Sequence, residues 1–363
     1  MKLQEVCEVY SGYALKEFHD SDEGYPVIKI GNICLDGTLD LEKCQFTNDS
    51  VSEKYFSEKG DIYVALSGAT TGKIGIINTD DKYIINQRVG IVRKIDKEIP
   101  DQYIKYFLMN KTEKILEDAS GCAQPNISPK QIGQYEFPKV DYFEMNQISD
   151  IMDIVSNVIT QRKLELQELD ELIKARFVEL FDSTDNRRIF KLNDVCEEIT
   201  AGGDRPKDTN EIRTEEYPYP VFANAATNDG LLCFSREYKI EKPCVTIAAR
   251  GCTVGFTAIR NEKFTPVVRL ITLVPNETIT PIYLKHYIDI KMKIAGNGAA
   301  QPQLTIPMIK SMEIMVPPIE LQNEYAEFVK QTDKSKIVVQ KALDKTQLLF
   351  DSLMQIYFGK GDF

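Results

Sequence analysis

Histidine is nearly missing from this chain: His19 and His286 are the only two in 363 residues. A histidine-built metal centre therefore lacks its material. The eight cysteines, at positions 7, 34, 44, 122, 196, 233, 244 and 252, include no Cys-x-x-Cys pair. They read as buried, reduced thiols of a cytoplasmic protein rather than as a zinc or disulfide framework. No apolar run approaches the ~20 residues of a membrane span. The N-terminal residues lack the pattern of a secretory signal, which again predicts a cytoplasmic location. Catalytic signatures are missing too. There is no Gly-x-Ser-x-Gly elbow, no glycine fingerprint of a dinucleotide fold and no Asn/Asp-Pro-Pro-Tyr motif with a glycine-rich cofactor loop. No Pro-Asp…Glu-x-Lys nuclease cluster occurs either. Positive charge is also scarce. The net charge of −11 excludes a generic nucleic-acid binder. Residues 1–140 hold 17 basic and 22 acidic side chains, and residues 189–318 hold 15 of each. Any affinity for DNA must come from local basic surfaces or from partner subunits.

What the chain does contain is a duplication. Lys2-Leu3 with Val6-Cys7-Glu8 returns as Lys191-Leu192 with Val195-Cys196-Glu197. Ser67-Gly68 and Gly72 return as Arg250-Gly251 and Gly255. Tyr103-Ile104-Lys105-Tyr106 returns as Tyr283-Leu284-Lys285-His286. Asn146 and Phe181 return as Asn323 and Phe358. The offset drifts from 189 to 177, so the second copy is shorter in its middle. A repeat of roughly 180 residues is domain-sized and far longer than a solenoid unit. Two such units suggest a pseudo-two-fold relation and a ligand with two comparable halves.

Each copy has a mixed front part and a helical rear part, an α/β (α+β) organisation. In the first, Asp61–Leu66, Ile74–Ile77, Tyr83–Ile85 and Val89–Val92 read as strands, with a helix from Pro100-Asp101. In the second, Cys244–Ala248, Phe256–Ile259 and Val267–Leu273 read as strands, with a helix from Thr280-Pro281. The rear helix of the first copy carries Ile148, Met152, Val155, Ile159, Arg162, Leu166, Leu169, Ile173, Arg176 and Leu180 at alternating steps of four and three. This is a coiled-coil seam interrupted by two arginines. No proline or glycine falls between Glu144 and Phe181, giving a helix roughly 55 Å long at ~1.5 Å per residue. The second helix keeps Val329, Val339, Leu343, Phe350, Leu353 and Tyr357 on its seam, with Thr332, Lys336 and Thr346 between them. The simplest arrangement is an antiparallel coiled coil of the two; a trimeric or intermolecular coil is the alternative. The resulting division is 1–142 and 189–318 as front domains, 143–188 as helix and linker, and 319–363 as the second helix.

Gly68-Ala69-Thr70-Thr71-Gly72-Lys73 comes nearest to a phosphate loop. Its spacing is one residue short, and no Ser or Thr follows Lys73. The glycines better suit a tight turn between strands. His286 has Tyr106 as its counterpart, so a structural histidine fits better than a catalytic base. These absences favour a recognition or scaffolding protein over an enzyme.

The ordered motifs resemble those of the specificity subunits of type I restriction-modification systems. Lys191-Leu192-Asn193-Asp194-Val195-Cys196-Glu197 opens a domain, followed by Thr200-Ala201-Gly202-Gly203. Arg250-Gly251-Cys252-Thr253-Val254-Gly255 and Gly298-Ala299-Ala300-Gln301-Pro302-Gln303-Leu304 come next. Val316-Pro317-Pro318-Ile319-Glu320-Leu321-Gln322 then leads into the long helix. The first copy departs at Phe137-Pro138-Lys139-Val140, which lacks the double proline. The resemblance implies two target recognition domains, each reading one half of a bipartite double-stranded DNA site. It further implies that the helices set the spacer and dock two modification subunits, with restriction subunits as a possible addition. Such a chain is not an enzyme and holds no cofactor or metal; S-adenosylmethionine and ATP belong to its partners. A coiled-coil scaffold binding only proteins, or a self-contained methyltransferase or nuclease, are the competing readings.

Arginine, asparagine and glutamine read base edges, whereas Lys, Arg and hydroxyls meet phosphate. Candidate DNA-binding residues are therefore Ser67, Thr70, Thr71, Lys73 and Arg88 in the first copy. In the second they are Arg205, Lys207, Arg250 and Thr253. For Arg205 and Arg250 a surface ion pair is the competing role. Gln124, Gln301, Arg162 and Arg176 are candidates for structural or subunit-interface roles.

Overall fold

The structure is a computed structural model that describes residues 1–119, 125–138, 140–182, 188–292 and 303–359. The chain forms two compact units, Met1–Lys163 with Lys341–Phe363, and Leu164–Gln340. Each combines a globular part with segments of two long helices, Tyr142–Asp182 and Ile319–Phe358.

The first unit contains β1 (Cys7–Ser11), β2 (Tyr25–Ile28), β3 (Gln45–Thr47), β4 (Ile62–Ala65), β5 (Ile74–Ile76), β6 (Ile84–Ile85) and β7 (Val89–Lys94). Three short helices follow: α1 (Asp101–Asn110), α2 (Thr112–Ala119) and α3 (Pro129–Gly133). The long helix α4 is Tyr142–Asp182. An antiparallel sheet runs β1-β7-β4-β5, and a smaller sheet runs β3-β2-β6 with β2 and β6 parallel. The continuous apolar run of β4 has a physical cause: the sheet is covered on both faces, so neither side of the strand meets water. Ile62 and Val64 enter a core with Tyr103 and Phe107 of α1. Tyr63 and Ala65 enter another with Ile28 and Ile85 of the small sheet.

The second unit repeats this plan. Its elements are β8 (Arg188–Lys191), α5 (Leu192–Val195), β9 (Cys196–Ala201), β10 (Thr209–Asn210), β11 (Tyr219–Phe222), β12 (Leu231–Ser235), β13 (Cys244–Ile247), β14 (Thr257–Arg260), β15 (Thr265–Pro266) and β16 (Ile271–Pro275). Then come α6 (Pro281–Tyr287), α7 (Ile306–Ser311), β17 (Glu313–Val316) and α8 (Ile319–Phe358). The sheet β9-β16-β13-β14 matches β1-β7-β4-β5 strand for strand. In α6 the Thr280 hydroxyl accepts from the Tyr283 N–H at 3.2 Å, and Pro281 occupies the first turn.

One strand differs from expectation. Val267–Leu273 is not continuous, because Val268 and Arg269 both take left-handed backbone, φ 53° and 60°. A β-branched residue rarely adopts that region, and its surroundings must hold it there. The Val268 and Arg269 N–H groups donate to the Gly203 and Gly202 carbonyls at 2.8 and 2.9 Å. A Cβ on Gly202 would lie 2.5 Å from Pro266 backbone, so only glycine permits this crossing. Gly12 plays the same part in the first unit, where a Cβ would meet the Ile85 carbonyl at 2.3 Å.

The helix seams follow the expected spacing. Ile148, Met152, Val155 and Ile159 are buried in the first unit, and Ile173 and Val329 in the second. Within each unit α4 and α8 run antiparallel. Arg162 reaches the Ala342 carbonyl and Thr346 Oγ1 in the first, while Asp170 pairs with Lys336 and Arg176 with Glu324 in the second. The repeated phenylalanines do the same work twice: Phe181 packs on Tyr283 at 4.7 Å and Phe358 on Tyr103 at 5.1 Å between ring centroids.

Candidate nucleic-acid interface

In each unit the hairpin between the edge strand and its neighbour, β4-β5 or β13-β14, meets two other chain segments at one corner. In the first, the Leu66 N–H donates to the Arg88 carbonyl at 2.9 Å. The Leu66 carbonyl accepts from Ile127, and the Gly68 N–H donates to Pro125. Gly68 and Gly72 have φ near +83° and +84°, as a tight turn demands. Ser67 and Lys73 are partly exposed at this corner, and Arg88 is exposed on the adjoining turn. Thr70 and Thr71, expected at a DNA surface, turn inward instead. Thr71 Oγ1 donates to the Gly68 carbonyl at 2.7 Å and closes the turn, and Thr70 Oγ1 is likewise buried.

The same corner in the second unit is built from Arg250, the Val268-Arg269 turn and the returning Gln303-Leu304 segment. The Leu304 N–H donates to the Ala249 carbonyl at 2.9 Å, and Arg250 bridges Gln303. Asn224 ties the corner together: its Oδ1 accepts from the Ala249 N–H at 2.9 Å and its Nδ2 donates to the Val268 carbonyl. Thr253 is half-buried, with a long contact of 3.4 Å from its hydroxyl to the Asn224 carbonyl. Arg205 and Lys207 follow Gly203 on an exposed loop, and Arg205 donates to Thr209 Oγ1 at 3.1 Å. Arg269 stands exposed on the strained turn. The sequence offered no reason to prefer it over the other arginines, since its left-handed backbone depends on a glycine 67 positions earlier.

Ion pairing separates the second unit's arginines into two classes. Arg213 pairs with Glu262 at 2.8 Å, and Arg236 with Asp208 and Glu216 at 2.9 and 2.6 Å. Arg260 is buried against Asp229, 3.7 Å above the Phe222 ring. Arg205, Arg250 and Arg269 have no acidic partner among the described residues. In the first unit Arg93 is held by Glu58 and Asp61, while Lys73 and Arg88 have no acidic partner among the described residues. An uncompensated guanidinium on a rigid turn can make paired hydrogen bonds to guanine or phosphate without first breaking an internal salt bridge. Arg250 and Arg269 at one corner, and Arg88 and Lys73 at the other, are cations of this kind in an acidic chain.

The other candidates lie elsewhere. Arg162 and Arg176 sit within the helix pairs, Arg176 held by Glu179 and Glu324 and lying over the Phe328 ring. Gln124 and Gln301 fall outside the described residues. Burial pushes the thiols of Cys7, Cys196 and Cys244 up to about 12 and that of Cys44 to about 11, so these cysteines are chemically quiet. Among the described residues no cluster of His, Cys, Asp and Glu could hold a metal ion, and no helix is long and apolar enough to cross a membrane.

The family model for the type I restriction modification DNA specificity domain matches residues 1–171 and again 185–346. The chain belongs to the type I restriction-modification DNA specificity family. It is a type I specificity subunit with two target recognition domains, and it acts with DNA and with partners in a complex. A protein of Mycoplasma pneumoniae named as a type I specificity subunit is 24% identical over 306 residues, covering 76% of this chain and 83% of its own. A Methanocaldococcus jannaschii protein named as the specificity subunit of a type I restriction enzyme is 23% identical and covers 95% of this chain and 90% of its own. Among solved structures, the type I S subunit of M. genitalium shares the fold at a TM-score of 0.60 and 18% identity, covering 98% of this chain and 94% of its own.

Proposed function

We propose that each target recognition domain reads one half of a bipartite double-stranded DNA site through its hairpin corner. Arg250 and Arg269 would serve one half, and Arg88 with Ser67 and Lys73 the other. The observation that carries this reading is the matched placement, at the same corner of two copies of one fold, of cations with no acidic partner among the described residues. Phosphate contacts would set register, and bidentate arginine contacts would select bases. The paired helices would set the spacer between half-sites and dock two modification subunits, with restriction subunits as a further partner. The chain itself would be non-catalytic, cytoplasmic and free of cofactor; S-adenosylmethionine and ATP would be bound by the partners. The test is competition binding by the reconstituted complex against single-base variants of each half-site, alongside calorimetry of the isolated chain with S-adenosylmethionine. Base discrimination confined to one half per domain, and no heat of cofactor binding, is the expected result. A complex that binds all sequences alike would overturn the reading.

A further inference from the structure

The two units differ at a cleft between the first helix after the sheet and the long helices. In the second unit this cleft is a single space of about 1070 Å³. It is floored by Ile259 of β14, Ile282 and Lys285 of α6, and Val329, Lys334 and Ile337 of α8. No described residue between 175 and 242 lines it. In the first unit the corresponding space is split into two cavities of about 290 and 590 Å³, and Asp36 lines both. The divider is the chain's own segment 34–41.

That segment is closely fitted. The Ile76 N–H, on the outer edge of β5, donates to the Gly37 carbonyl at 3.2 Å. A Cβ on Gly37 would lie 3.2 Å from Met109 Sδ of α1, and one on Gly75 would lie 2.7 Å from Leu39 Cδ2. Leu39 packs against the core that holds Ile33 and Ile77. The walls correspond between copies. Ile76, Lys105 and Tyr106 match Ile259, Lys285 and His286; Asp153, Asn157 and Thr160 match Lys330, Lys334 and Ile337. The second copy therefore keeps these walls and lacks the plug, with Ala258 in place of Gly75, so that a leucine there would sit farther from the strand than Leu39 does. It also changes charge, with lysines where the first copy has Asp153 and Asn157. Lys334 has no partner among the described residues, and Ile337 is 55% exposed.

We infer that the cleft of the second unit is a docking groove for an acidic, leucine-bearing turn of a partner protein in the complex. Such a turn would lie along β14 as Leu35-Asp36-Gly37-Thr38-Leu39 lies along β5. The first unit supplies the template: a main-chain bond to the sheet edge, a carboxylate, Asp36, whose charge acts on Lys105, and a leucine packed on apolar side chains beside the strand. The added lysines at 330 and 334 favour a more acidic occupant than the built-in one. In the first unit the chain's own segment already holds the edge of β5 and divides the space, so one site per chain is expected even though the framework is duplicated. That the partner is a modification subunit rests on the functional reading above; the asymmetry and the chemistry of the occupant do not.

The experiment places a photo-cross-linking residue at position 337, and separately at position 160, in the full chain assembled with its modification subunits and DNA. The expected product joins position 337 to a modification-subunit peptide that carries Asp or Glu beside Leu, with none from position 160. No product from position 337, a product with DNA instead of protein, or equal products from both positions would overturn the inference. Lys330→Glu with Lys334→Glu should weaken binding of one modification subunit at least tenfold, and Lys330→Arg with Lys334→Arg should preserve it. Equal binding by the charge-reversed and wild-type chains would also overturn it. Base preference is measured separately on the same complexes. If it is lost in the wild type, the functional reading fails; if it persists while the cross-link is absent, only the docking groove fails.

Discussion

Replacing Arg250 by alanine isolates one side chain at the second hairpin corner. Its guanidinium is exposed and has no acidic partner among the described residues, and the hairpin is held by backbone bonds at Ala248, Ala249 and Gly255. Stability should therefore change by no more than about 0.5 kcal/mol, as for surface positions outside any network. If Arg250 grips a guanine through both nitrogens, the loss should be about 1–3 kcal/mol at one base position, roughly 5- to 150-fold. That loss should fall within the half-site read by the second domain and leave the other half untouched. If Arg250 meets phosphate only, affinity should fall for every sequence, and the slope of log K against log salt should flatten by about 0.9. The assay is competition binding by the assembled complex, with single-base variants of both half-sites at two salt concentrations. Arg236→Ala is the control, because Asp208 and Glu216 already hold that guanidinium. An Arg250→Ala complex with unchanged affinity and unchanged base preference would refute the corner as the reading surface. So would one whose preference changes in the half-site of the first domain.

Arg269→Ala should give a second loss of about 1–3 kcal/mol in the same half-site as Arg250→Ala, at a different base or phosphate; an effect in the opposite half-site would break the assignment. Gly202→Ala should destabilise the second unit by about 2 kcal/mol or more, because its Cβ would press into Pro266 backbone at 2.5 Å, whereas Gly203→Ala, facing only Lys239 Nζ at 3.6 Å, should be near neutral in urea melts. His286 packs on Tyr325, and its burial, followed by the nearby Lys285, lowers its pKa from 6.5 to about 4. The unfolded chain therefore takes up a proton before the folded one. This contribution to stability is present above pH 6.5 and lost progressively towards pH 4. The partly exposed ring should account for roughly 2 kcal/mol of that loss, and His286→Gln should flatten the fall in urea midpoint between pH 7 and pH 5.

The duplication and the helix seams were legible because both follow local rules. A 3.5-residue apolar step needs no knowledge of the rest of the chain, and Ile148, Met152, Val155 and Ile159 are buried as that step requires. The buried β4 was legible for the same reason. The reading corners were only half legible. Arg250 could be picked out beside a glycine turn, but its difference from Arg236 or Arg213 lies in acids that arrive from distant loops. Arg269 was hidden inside an apparent strand. The break at Val268 arises where Gly202 lets another segment approach, a tertiary cause that no window around Val268 contains. The inward turn of Thr71 has a similar origin, since its hydroxyl closes the hairpin rather than facing solvent.

The two copies also show where a duplicated domain is free to diverge. Residues that let segments cross, such as Gly12 and Gly202, face backbone at 2.3 and 2.5 Å and have no room for a side chain. Core partners such as Tyr103 with Phe358 and Tyr283 with Phe181 answer to packing density, where a lost ring costs about 3–5 kcal/mol. The corner residues answer to neither. Ser67 and Arg250 occupy matching bridges to Asn126 and Gln303, yet one is a hydroxyl and the other a guanidinium. A change there alters which atoms face outward while the hairpin bonds beneath stay in place. Two halves of a binding site can thus acquire different preferences on one unchanged framework, which is what an asymmetric bipartite DNA target would require.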